Sequence, residues 1–158
     1  SFPIAPLKDF PGGEPGEIVG FTVTIPFHLS SQHYEDLVSP ALFFPGLGEN
    51  FIIYVNGHEV ANEVHIQGGE IQKRRTELSY TVPVQRNFLQ KGENLLTIRL
   101  LGQSPPDGEP SPVPGLFYDR GYFLGESADA ISSSTDTFNL VLVSLYLAFG
   151  IYFLFILL

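Results

Sequence analysis

"VGFTVTIPFHL", from Val19 to Leu29, is the stretch that decides how this chain folds. Read two at a time, Phe21, Val23, Ile25, Phe27 and Leu29 fall on one side, and Thr22, Thr24 and His28 on the other. A period of two belongs to a strand with one face against a core. The pattern returns in Leu78, Tyr80, Val82 and Val84 against Ser79, Thr81 and Gln85, and in Leu96, Ile98 and Leu100 against Thr97 and Arg99. "ALFFPGL" (Ala41 to Leu47) and "FIIYV" (Phe51 to Val55) are nearly continuous apolar runs, as strands in the middle of a sheet require. "GLFYDRGYFLG" (Gly115 to Gly125) supplies a last aromatic strand or pair. The expected core is Phe21, Val23, Ile25, Phe27, Ile53, Val55, Val82, Ile98 and Leu100.

Turn chemistry separates these segments. Asn56-Gly57 is the strongest short hairpin signal, because a type I′ turn needs positive φ at both central residues. "KGEN" (Lys91 to Asn94) and Gly68-Gly69 mark two more turns, and the proline-rich "QSPPDGEPSPVPG" (Gln103 to Gly115) reads as a surface loop. About seven short strands without a helical period predict an all-β fold, an antiparallel β-sandwich over residues 1–126, with helix confined to the C-terminus.

"SADAISSSTDT" (Ser127 to Thr137) reads as a polar linker, and the last 21 residues are different in kind. Phe138 to Leu158 carries no charge and is apolar on every face; at about 1.5 Å per residue it reaches roughly 32 Å, close to a bilayer's hydrocarbon core. It is expected to be a transmembrane helix in contact with the lipid bilayer.

Every charge therefore lies before Phe138: 17 acidic against 8 basic residues, a net of −9. Nucleic acid is excluded as a partner, since lysines and arginines must replace counterions on phosphate. There is no cysteine, hence no disulfide framework and no thiolate metal site. No asparagine is followed at the second position by serine or threonine. The missing cysteines and sequons together favour a bacterial, periplasmic home for the β-domain.

Catalytic signatures are missing. No Gly-x-Ser-x-Gly elbow or glycine-rich phosphate cradle occurs, and no spacing singles out two of the many carboxylates. The chain reads as a non-enzyme. His28, His33, His58 and His65 lack metal-ligand spacing and read as solvated surface groups, not a metal site. "KRR" (Lys73 to Arg75) reads as a solvated hairpin tip that guards an edge strand, or as a grip for an anion. For ligand binding the candidates are Tyr118, Asp119, Arg120 and Tyr122. Aromatic rings suit the apolar face of a sugar, and the charged pair suits its hydroxyls. The competing reading has the tyrosines closing the sandwich rim and Asp119-Arg120 bracing a turn.

"FIIYVNGHEV" and, some thirty residues on, "LQKGENLLTIRL" resemble the galactose-binding-like jelly roll, found as the non-catalytic sugar-binding domain of many glycoside hydrolases. The resemblance covers roughly Val19 to Leu101. It implies a jelly-roll β-sandwich, and such folds often hold a structural calcium, to which Asp36, Glu49 and Asp119 could contribute; no other cofactor is expected. "GLFYDRGYFLGESADAI" followed by the apolar segment is similar to the end of the extracellular domain in bacterial seven-transmembrane receptors with diverse intracellular signalling modules. That resemblance implies a ligand-sensing domain for a carbohydrate-like or small polar ligand, or a partner protein, which passes its signal to a membrane helix, the first of several in a longer parent protein. It also implies the cytoplasmic (inner) membrane, with the β-domain on its periplasmic or extracellular side. The alternative is a membrane-anchored carbohydrate- or protein-binding module without signalling output.

Overall fold

The computed structural model describes residues 14, 16–48, 50–72, 77–103, 121–134 and 146–147. Among these residues nine strands and two helices follow one another: β1 (Ile18–Leu29), α1 (Ser31–Asp36), β2 (Pro40–Leu47), β3 (Asn50–Val55), β4 (His58–Asn62), β5 (Ile66–Gln67), β6 (Glu70–Ile71), β7 (Glu77–Pro83), β8 (Gly92–Gln103), β9 (Phe123–Glu126) and α2 (Ser127–Ser134). A four-stranded sheet runs β1-β8-β3-β4, a three-stranded sheet β7-β2-β9, and β5 and β6 form a small hairpin; every pairing is antiparallel.

The chain winds between the two larger sheets. Apart from the β3–β4 hairpin, each connection leads from one of them to the other, so strands adjacent in sequence lie in opposite layers. Between the layers sits one core, built from Phe27, Leu42, Phe44, Phe51, Ile53, Val55, Val82, Leu96, Ile98 and Leu100 among others. The protein is an antiparallel β-sandwich.

Burial tracks the alternation closely. On β8 the inward Leu96, Ile98 and Leu100 are buried, while Arg99 is exposed. On β1 the predicted face is the right one, yet Phe21, Val23 and Ile25 are only half-buried. The reason is position: β1 is an edge strand, bonded on one side alone to β8. β2 explains the continuous run "ALFFPGL". Leu42 and Phe44 face the core, whereas Ala41 and Phe43 turn outward and are covered by Phe123 and by Ala130 of α2.

Three expectations need correction. Leu78, expected inward with Tyr80 and Val82, is 64% exposed. Ser79 has φ +53°, the left-handed region, and lies beside Pro45, where the ladder between Phe44↔Tyr80 and Gly46↔Leu78 has no pair; the strand's facing is lost there. Helix is not confined to the C-terminus. Ser30 caps α1, its Oγ accepting from the His33 amide at 3.1 Å, and a single 3₁₀ turn spans Arg86–Phe88. The segment read as a polar linker is helical over Ser127–Ser134 and packs on β2 through Ala130. Small polar residues hide this helix from a periodicity argument, since one alanine is the only fully buried side chain among its described ones.

The turns agree with the sequence. Asn56 (φ +49°) and Gly57 (φ +83°) join β3 to β4, and Gly68 and Gly69 join β5 to β6, also with positive φ. Among the described residues no helix is long and apolar enough to cross a membrane. The expected span, 138–158, lies outside the described residues except for Tyr146 and Leu147, which are helical.

Candidate functional site

Two ends of the sandwich differ. At one end β1 finishes at Leu29 opposite Gly92, α1 succeeds it, and β9 delivers the chain to α2 with Glu126 opposite Pro40. That end is densely bonded. The Glu126 carboxylate accepts from the Val38 amide at 2.6 Å and from the Ser39 amide at 3.1 Å. The Ser127 amide and hydroxyl both donate to the Ser39 carbonyl, at 2.8 and 2.7 Å. Beside it, Arg86 lies over the Tyr34 ring at 4.9 Å and bonds the Tyr34 carbonyl, and both Arg86 and Lys91 pair with Glu35. These two cations hold the Glu35 carboxyl below its ordinary range, Lys91 contributing most.

Asn56 and Asn94 pin the same end together. Asn56 Nδ2 donates to Asn94 Oδ1 and to the Phe88 carbonyl, each at 2.8 Å, and its Oδ1 accepts from the Leu95 amide at 2.7 Å. Asn94, 4% exposed, also accepts from the Gln90 amide and donates to the Gln90 and Gly92 carbonyls. The asparagines of "VNG" and "KGEN" are thus structural.

The opposite end carries an open groove of about 630 Å³, within the range of small-ligand sites. β1 provides Ile18, Gly20 and Thr22 to its wall, β8 provides Arg99 and Leu101, and Ile66 of β5 closes one side, with Phe21 also contributing. The register builds it: Thr22 pairs with Arg99 and Gly20 with Leu101. A Cβ at Gly20 would stand 2.7 Å from the Leu101 Cδ2, so glycine lets that side chain lie across the strand. Apolar walls with one guanidinium and one hydroxyl can hold a small amphipathic ligand by contact and by directed hydrogen bonds.

Of the residues proposed from sequence, Tyr118, Asp119 and Arg120 lie outside the described residues. Tyr122 is 2% exposed; its hydroxyl donates to the Gly46 carbonyl at 3.2 Å and its ring meets Phe44 edge-on. It packs the core. Of the calcium candidates, Asp36 is exposed at the end of α1, while Glu49 and Asp119 fall outside the described residues, as does 73–75. Among the described residues no group of three or more metal-ligating side chains is gathered. His28 and His33 are exposed, His58 stacks on Phe88 at 4.3 Å, and His65 Nε2 meets Glu63 at 3.2 Å. Sequence reasoning misses the groove because it depends on pairing two strands some seventy residues apart along the chain. The alternation places Thr22 and Arg99 outward, but nothing local sets them side by side.

No family model and no curated protein matches the sequence. Solved structures similar to it include a glycosyl hydrolase family 2 member from Bacteroides cellulosilyticus, 20% identical with a TM-score of 0.46 over 74% of this chain and 15% of that one. A β-D-mannosidase from Dictyoglomus thermophilum is 21% identical, with a TM-score of 0.38 over 51% of this chain and 8% of its own. A β-glucosidase from Kluyveromyces marxianus is 16% identical, with a TM-score of 0.35 over 71% and 12%. The chain spans a small fraction of each of these enzymes, and at such scores the likeness assigns neither ligand nor activity.

Proposed function

We propose that this chain is the extracytoplasmic ligand-sensing domain of a bacterial membrane signalling receptor, a jelly roll of the galactose-binding-like class that binds a carbohydrate-like or small polar ligand without turning it over. The groove across β1 and β8 carries this reading. Its described lining offers Arg99 and Thr22 as polar groups and holds no carboxylate or imidazole for acid–base chemistry. The apolar segment 138–158 serves as the first membrane helix. Ligand and membrane then meet opposite ends of the domain, and β1 and β8, each 12 residues, roughly 40 Å when extended, join them. A ligand that prefers one arrangement of these strands shifts the position of β9 and α2 by its differential affinity and no more.

Calorimetric titration of the detergent-solubilised chain against a panel of glycans and small metabolites tests this. The expected result is saturable binding with no product formed, and turnover of any panel member overturns it. Arg99→Gln and Arg120→Ala locate the site: loss with Arg99→Gln alone supports the groove, and loss with Arg120→Ala alone moves the site to the 117–123 strand.

A further inference from the structure

We infer that the ligand of the β1/β8 groove carries a carboxylate, as a uronate sugar does, and that Arg99 receives it; the inference rests on the groove being the ligand site. Three cations fall among the described residues, and they are used differently. Arg86 and Lys91 share Glu35 and the Tyr34 ring. Arg99 makes no ion pair or side-chain hydrogen bond among the described residues.

Its surroundings explain that and give it meaning. Directly opposite Arg99 on the two neighbouring strands stand Thr22 and Ile52. The next positions on the same face are Thr97 and Leu101 on β8, Gly20 and Thr24 on β1, and Asn50 and Tyr54 on β3. None of these is acidic, in a chain with 17 acidic residues. A guanidinium that, among the described residues, is ringed by neutral neighbours and flanked by apolar walls keeps its donors for an incoming acceptor, and its planar fork matches a carboxylate bidentately. The Thr22 hydroxyl, across the ladder, can donate to the same group or to an adjacent sugar hydroxyl. Ile18, Ile66 and Leu101 leave an apolar wall for the ring face. The overall charge of −9 bears on the kind of anion: repulsion grows with ligand charge, so a singly charged carboxylate is disfavoured less than a doubly charged phosphate.

The test titrates the solubilised full chain with D-glucuronate, D-galacturonate, their neutral parents D-glucose and D-galactose, and glucose 6-phosphate. At least one uronate should bind about tenfold or more tightly than its parent, and Arg99→Gln should reduce it to the parent's level. Arg99→Lys should keep part of the preference, with far-UV circular dichroism and the melting midpoint unchanged in both variants. Equal affinity for uronate and parent, or an Arg99→Gln chain that still prefers the uronate, overturns the inference while the ligand-binding reading stands. Tighter binding of glucose 6-phosphate than of either uronate overturns the choice of carboxylate. Binding of none of the five overturns the inference together with the groove as a sugar site.

Discussion

At the residue scale, Asn94 shows how little of a turn's energetics its sequence reveals. "KGEN" announces a turn through Gly92, which has φ +89°, but the asparagine two positions on is a buried four-bond junction rather than a turn residue. Asn94→Ala leaves the Gln90 amide, two carbonyls and the Asn56 amide group short of partners; the urea midpoint should fall by the equivalent of about 2–3 kcal/mol. A variant as stable as the parent would show that water replaces the whole set. Ser79 is the converse case, a residue whose local preference contradicts its place. Its left-handed φ disfavours a branched side chain, so Ser79→Val should destabilise by about 1–2 kcal/mol while Ser79→Gly does not, as thermal melts of the pair will show. Glu35 adds a pH dependence. Because Lys91 and then Arg86 lower its folded-state pKa, the stabilisation is present above the unfolded value and is lost as pH falls through the folded one. Glu35→Gln should flatten that part of the acid-range slope in a series of denaturation midpoints, and an unchanged slope would place its origin elsewhere.

At the scale of elements, strands were legible and helices were not. A strand with one wet face writes its alternation plainly, as β1 and β8 do. β2 could be read as central only from its unbroken apolar run, and which of its faces met which layer required α2 to be in place. α2 itself depends on tertiary contact: Ser127 bonds Ser39, Ala130 seats against Ala41 and Phe43, and Phe43 stacks on Phe123 at 5.2 Å. Enlarging that contact should be costly. Ala130→Leu is expected to lower stability by about 1–3 kcal/mol through overpacking, whereas Ala128→Leu, on an exposed position of the same helix, should be nearly neutral. Equal effects of the two in chemical denaturation would mean that α2 does not rest on β2 in solution. For the core proper, Ile98→Ala, fully buried on β8, should cost about 2–5 kcal/mol by the same measurement.

At the scale of the whole molecule, sequence defined the layers through hydrophobic period, but not the neighbours across them. The pairing of Thr22 with Arg99, and so the groove, appears only once β1 lies along β8. The groove and the exit of the chain into α2 lie at opposite ends of the sandwich, joined by these long strands. That separation bears on how such a domain can diversify. Ile18, Thr22, Ile66, Arg99 and Leu101 can be exchanged to change the groove while Val38, Ser39, Glu126 and Ser127 keep their bonds. Descendants of one ancestor can therefore differ in what the groove end presents yet share one exit for the chain, and a chimera made by swapping that end alone keeps its host's seat for α2.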